Sequence, residues 1–241
     1  MIFCERLDDD YDAVENTRAQ FGKENHMTPL EYVLDRKIVA IARGLKPEYI
    51  VRLGHALEEG GIRLLEITYN QKAPDTWKDT AGAIEAAEKE FGDRVLVGAG
   101  TVITLEQVKM TCDAGGHYLV TPSTQPEIIH AGKAMKLGLF PGAATPTEIL
   151  AAWEAGADAV KVFPAAALGP GYIKSVCAPL SHIPMMAVGG INEKNAGDYM
   201  KAGCIGLGVG GNLVNREWIE NGEWSQITAL AKELMKAVNE A

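Results

Sequence analysis

Short apolar runs recur along the chain, and longer amphipathic stretches separate them. The runs are IVAIAR (38–43), LLEITY (64–69), VLVGAG (95–100), HYLVTP (117–122), LFPG (139–142), AVKVF (159–163), MMAVGG (185–190) and IGLGVG (205–210). Between them lie PEYIVRLGHALEEG, DTAGAIEAAEKEFG, TLEQVKMTCDAG and PTEILAAWEAG, which are helix-forming in pattern. Thr104, Thr145 and Asn192 are placed to start helices, and Pro47, Pro74, Pro126 and Pro146 suit first turns. Eight apolar strands alternating with helices predict a closed (β/α)8 TIM barrel of the α/β class over residues 37–241. An open doubly wound sheet normally carries a glycine fingerprint after its first strand, and IVAIARGLKP has none. Residues 1–36 fall outside the repeat as an N-terminal extension, acidic at Glu5, Asp8, Asp9, Asp10 and Asp12. Its TPLEYVLDR segment (28–36) suits a short helix closing the bottom of the barrel.

The 26 glycines sharpen this picture. Gly60, Gly115, Gly138, Gly156 and Gly203 each stand where a helical stretch gives way to an apolar run. A glycine there can take the left-handed conformation that ends the helix. From Gly60 to Gly203 the stations fit units of about 24 residues, the length of one strand–helix module.

Composition excludes several classes. With 47% apolar and 23% charged residues the chain is an ordinary globular one. No apolar run approaches the roughly 20 residues of a bilayer span, and the acidic start does not read as a secretory signal. Cys4, Cys112, Cys177 and Cys204 are far apart, which suits reduced thiols in the cytoplasm and offers no metal-ligand spacing. The net charge of −9 disfavours nucleic acid as a partner. A small anion held by local cations remains compatible with it.

Catalytic groups of such barrels come from the C-terminal ends of the strands, so charges embedded in apolar strands carry the most information. Lys161 sits in AVKVF, where alternation puts Val160 and Val162 on one face and Lys161 on the other with Ala159 and Phe163. If the valines face the helices, the amine points into the barrel. Burial there lowers its pKa and leaves a nucleophile able to attack a carbonyl. Glu66 shares the inner face of LLEITY with Leu64 and Thr68, from where a carboxylate can shuttle protons. The alternative is that the two are structural counter-ions. Arg43, at the end of the first strand, is suited to gripping a carboxylate or to a plain surface role. Gly189 and Gly190 after the seventh strand, with Gly210 and Gly211 after the eighth, suit backbone N–H groups closing around a phosphate. Tight loop packing would use the same residues. No HExxH, GxSxG or carboxylate–histidine cluster is present, so neither metal nor cofactor is expected.

Six motifs in order carry a resemblance: LLEIT with Glu66, VGAGTV (97–102), VTPS (120–123), PGAAT (141–145), VKVFPA with Lys161, and AVGGIN (187–192). Together they resemble the KDPG/KHG aldolases, class I pyruvate aldolases on a (β/α)8 barrel, over residues 37 to 240. The resemblance implies metal-free cleavage of a 2-keto-3-deoxy-6-phospho sugar acid to pyruvate and D-glyceraldehyde 3-phosphate, in a homotrimer. It implies Lys161 as the Schiff-base lysine and Glu66 as the proton shuttle. It also implies that Thr101 and Pro122 meet the pyruvyl group and that the four loop glycines meet the phosphate. Gluconate-type members carry an arginine where this chain has Asn70. Arg43 and the LGPGYIK segment (168–174) instead resemble the galactonate-type branch, which suggests a carboxylate grip moved to the first strand. Cleavage of unphosphorylated 4-hydroxy-2-oxoglutarate and non-catalytic binding of a phosphate ligand remain alternatives.

Overall fold

The computed structural model describes residues 27–241. Cys4 and the acidic positions from Glu5 to Asp12 lie outside them. The first element is a helix, α1 (Pro29–Arg36), which opens on a capping box between Thr28 and Glu31. Next come β1 (Ile38–Ala42), α2 (Pro47–Glu59), β2 (Leu64–Thr68), α3 (Trp77–Phe91), β3 (Leu96–Gly100), α4 (Leu105–Asp113), β4 (Tyr118–Val120) and α5 (Pro126–Ala134). The second half runs β5 (Gly138–Phe140), β6 (Gly142–Ala143), α6 (Pro146–Glu154), β7 (Val160–Val162), α7 (Ala165–Leu168), α8 (Pro170–Cys177), β8 (Met185–Val188), α9 (Ala196–Lys201), β9 (Gly206–Val209), α10 (Arg216–Glu220) and α11 (Trp224–Asn239).

All pairings are parallel, in the order β5-β4-β3-β2-β1-β9-β8-β7-β6. The two ends of that order, β5 and β6, are one strand broken at Pro141. β5 pairs with β4 through Tyr118–Gly138, and β6 pairs with β7 through Gly142–Lys161. Proline has no N–H to give the ladder, so LFPG is interrupted where a continuous strand was expected. The fold is the expected barrel, with its fifth strand in two pieces.

Side-chain alternation separates two cores. Ile38, Ala40, Leu65, Ile67, Val97, Ala99, Val160, Val162, Leu207 and Val209 pack outward against the helices. Val39, Leu64, Leu96, Tyr118, Val120, Phe140, Ala159 and Met186 fill the interior. Val33 of α1 belongs to this inner cluster and is fully buried, so the helix plugs the barrel's lower end. A Cβ on Gly206 or Gly138 would collide with Val33 or Pro29, and these glycines admit the helix.

Local signals were mostly as read. Thr104 and Thr145 cap α4 and α6, and Pro47, Pro126 and Pro146 open their helices. Pro74 opens a single 3-10 turn ahead of α3. Asn192 does not cap α9, since Asn195 holds that place. The Asn192 side chain accepts from the N–H groups of Lys194 and Asn195, and so makes the turn that leads in. Gly115, Gly156 and Gly203 are left-handed as expected. At the other two stations the role moves, to Gly61 (φ 93°) beside Gly60 and to Lys136 (φ 59°) ahead of Gly138.

Candidate active site

Strand alternation sets the site. Glu66 is in register with Ile41 of β1 and Gly98 of β3, with its side chain on the inner face beside Leu64. Lys161 is in register with Gly142 and Met186 on the far side of the barrel. Both are almost wholly enclosed, Glu66 at 2% and Lys161 at 5% exposure. Burial pushes the Lys161 amine below its ordinary pKa; Glu66 opposes this and Arg43 adds to it. Burial pushes the Glu66 carboxyl up, while the charges of Lys161 and Arg43 pull it back. In both cases desolvation, which disfavours the charged form, is the largest effect.

Space for the Glu66 carboxylate comes from β3. A Cβ on Gly100 would overlap its Oε1. On the Lys161 side, Nζ lies 4.9 Å from the centroid of the Phe163 ring. Phe163 follows the C-terminal end of β7 and is 39% exposed.

The remaining residues singled out from the sequence all follow the C-terminal ends of strands. Arg43 comes one residue after β1 and is exposed, so it is a cation at the rim and not inside the strand. The carbonyl of Gly44 beside it accepts from Arg216 at 3.0 Å, which ties the first loop to the last. Asn70 is exposed, and its side chain accepts from Lys72 N–H at 3.0 Å in a loop-internal bond. Thr101 has φ 58°, which costs a β-branched residue roughly 1–3 kcal/mol. Its carbonyl accepts from the Gln71 side chain, and Gln71 in turn accepts from the fully buried Gln107 at 3.0 Å. Gln107 also accepts from Ile103 N–H at 2.8 Å, so two glutamines hold the Thr101 turn from both sides. Pro122 follows β4, and its carbonyl is packed against Gly142.

The two glycine pairs differ. Gly189 and Gly190 are left-handed, at φ 98° and 77°, and a Cβ on Gly189 would meet the Phe163 ring at 3.2 Å. Gly210 and Gly211 have no such backbone demand and open space around them. Asn212 donates to Ile191 O at 3.1 Å and joins the two loops.

Sequence reasoning passed over three groups at this site. Thr121, buried at the end of β4, donates to Ser123 O. The Gln71–Gln107 pair supports Thr101. Tyr118 is the third, fully buried on the inner face with a hydroxyl that has no hydrogen-bond partner among the described residues. A polar residue in an amphipathic helix reads as solvent-facing, and a tyrosine in an apolar strand reads as core, so neither pattern gave a signal.

With the geometry established, similarity defines the protein's class: it is an aldolase, a carbon–carbon lyase built on a barrel. Residues 31–230 match the family model of the KDPG and KHG aldolases, and the chain belongs to that family. A probable 2-dehydro-3-deoxy-6-phosphogalactonate aldolase of Rhizobium meliloti is 40% identical over 181 residues, covering 75% of this chain and 82% of that one. The 2-dehydro-3-deoxy-6-phosphogalactonate aldolase of Escherichia coli is 36% identical over 202 residues, covering 83% of this chain and 96% of that one. The structure of the Legionella pneumophila KDPG aldolase, with pyruvate captured as a covalent carbinolamine, superposes with a TM-score of 0.76 at 29% identity. It covers 86% of this chain and 98% of that one.

Proposed function

We propose that the chain cleaves 2-dehydro-3-deoxy-6-phosphogalactonate to pyruvate and D-glyceraldehyde 3-phosphate through a Schiff base on Lys161. The observation that carries this is a lysine buried in the barrel lumen, its amine pulled below its ordinary pKa by burial, in the same enclosure as the Glu66 carboxyl. The neutral amine attacks C2 of the keto acid, and Glu66 assists the loss of water that leaves a protonated imine. The C3–C4 bond then breaks and its electron pair flows into the iminium. The C4 hydroxyl proton passes to Glu66, directly or through a water, as the aldehyde forms. The resulting enamine is protonated at C3, and water hydrolyses the imine to pyruvate and the free amine.

Arg43 and Thr101 hold the substrate carboxylate in this scheme, with Pro122 and Phe163 bounding the pyruvyl group. Asn70 stands in the chain where gluconate-type members carry an arginine. The phosphate is held by the N–H groups around Gly189, Gly190, Gly210 and Gly211. Preference for the galactonate epimer is supported by Arg43 and Asn70 and by the names of the two relatives. A homotrimer is part of the same reading, supported by the exposed apolar side chains of Leu105 and Leu150. So is a cytoplasmic location, which the unbridged thiols of Cys177 and Cys204 support.

The test is pyruvate release from three substrates: the 6-phosphogalactonate derivative, its gluconate epimer, and unphosphorylated 4-hydroxy-2-oxoglutarate. The proposal expects the highest kcat/KM on the first, with inorganic phosphate competing. Equal activity on the unphosphorylated substrate and no effect of phosphate would overturn it.

A further inference from the structure

Among the described residues, Tyr118 is the inward-facing phenol of the barrel core, and it is an energetic anomaly. Its side chain is fully buried, yet its hydroxyl has no hydrogen-bond partner among the described residues. An unsatisfied buried hydroxyl costs stability that a phenylalanine at the same place would not. Such a group calls for a use.

The register supplies one. Ala99 pairs with Leu119 and Gly100 with Val120, which sets Tyr118 opposite Gly98. Gly98 in turn pairs with Glu66. Glu66 and Tyr118 therefore occupy one level of the barrel, on either side of a strand that offers no side chain there. A Cβ on Gly98 would lie 2.5 Å from the Tyr118 ring, so the ring leans across β3. The Glu66 carboxylate leans over the next inward glycine of the same strand, Gly100. The two glycines of VGAG leave both the phenol ring and the carboxylate room over the same strand, one over Gly98 and the other over Gly100. Glu66 also acts electrostatically on the phenol, adding to the upward push of burial on its pKa.

We infer that Tyr118 is a positioning residue for Glu66: its hydroxyl donates through one bridging water to the ionised carboxylate and fixes the orientation in which Glu66 exchanges protons with substrate. A phenol can satisfy itself here by donating to an acceptor, and the carboxylate is the strongest acceptor in the lumen. The charged and titratable groups facing Glu66 are Lys161 from β7, Arg43 beyond β1 and Tyr118 from β4. The facing inner positions of β3, β5, β8 and β9 are Gly98 and Gly100, Phe140, Met186 and Val188, and Gly206 and Gly208. Lys161 supplies charge to Glu66 from across the barrel, while Tyr118 supplies a neutral donor at its own level.

This inference rests on Glu66 being the acid–base group, and the test separates the two. Tyr118→Phe keeps the ring and removes only the hydroxyl, so the variant should melt no lower than the parent. A donor to the ionised carboxylate lowers its pKa, and losing it raises that pKa. The acid limb of the kcat/KM profile should move to higher pH by about one unit. In the same variant kcat should fall roughly tenfold with KM for the keto acid within a factor of about two. A profile and kcat superimposable on the parent's, in a background where Glu66→Gln is severely impaired, would overturn the role of Tyr118 alone. A Glu66→Gln enzyme with normal turnover would remove the underlying assignment of Glu66, and the inference with it.

Discussion

Glu66 and Gly100 lie against each other across β2 and β3, so closely that one methyl group on the glycine would occupy the place of the carboxylate. The acid–base group of the proposed mechanism is thus positioned by an absence of side chain on the neighbouring strand. Gly100→Ala tests this. The added carbon must displace Glu66 and strain the interior by about 1–3 kcal/mol. Turnover should fall toward that of Glu66→Gln, roughly 10²–10⁴-fold below the parent. Steady-state kinetics beside a thermal melt will separate the two effects, and an active, unshifted Gly100→Ala would show that the carboxylate has room elsewhere.

Burial of Glu66 also predicts a pH dependence of stability. Its folded pKa lies above the ordinary 4.5, so between those two values the native state holds more proton than the unfolded chain. Stability contributed by this group is complete below pH 4.5 and is lost as pH rises through the raised value. Glu66→Gln should flatten that decline. Urea unfolding of both proteins at a series of pH values reads the difference directly.

For Lys161 the sign is opposite. Its pKa is depressed from 10.5, and the neutral amine is the reacting form. The rate of pyruvate adduct formation should rise with pH to a plateau whose midpoint lies below 10.5. Rates of borohydride-trapped adduct across pH give the midpoint. A midpoint at the ordinary lysine value would mean that burial does not activate the amine.

Arg43 stands at the rim and acts on both buried charges. Arg43→Ala should raise KM for 2-keto acids by roughly ten- to a hundredfold, the worth of one charged hydrogen-bonded contact, and change kcat less. Asn70→Ala should have a smaller effect, because its side chain is engaged with Lys72 in the loop. Saturation curves for the two variants, side by side, test the division of labour between the first and second strands.

The lower end of the barrel offers a stability test. Val33 of α1 is fully buried among residues from several strands. Val33→Asp puts an unpaired carboxylate into that cluster and should destabilise the fold by several kcal/mol, with the active-site geometry changed last. A variant melting within a few degrees of the parent would show that the helix is a loose attachment.

Much of this organisation was legible in the sequence because strand alternation is a two-state code. Val160 and Val162 face the helices, which forces Lys161 inward, and Glu66 shares the inner face of its strand with Leu64 and Thr68. A charge among apolar residues stands out. Arg43 was legible as a candidate, but its place one residue past the strand depends on where β1 ends. The break at Pro141 was visible as a proline, although its consequence, a strand in two pieces, depends on pairing with both neighbours. The left-handed turn at Lys136 was hidden, because Gly138 offered itself and is instead required by the close approach of Pro29. Gly210 and Gly211 resemble Gly189 and Gly190 in sequence and differ in backbone, which composition cannot express. Tyr118 and Gln107 were hidden most deeply. Each looks ordinary in its own element, and each acquires meaning only from what the neighbouring strand or loop leaves unfilled.

The central claim is covalent chemistry at Lys161, and it is open to one direct measurement. The protein is incubated with pyruvate and sodium borohydride, digested, and mapped by mass spectrometry. A reduced pyruvyl adduct on Lys161, in step with loss of activity and absent in Lys161→Met, is the expected result. Full inactivation with Lys161 unmodified, or an adduct placed on another lysine, would contradict the account.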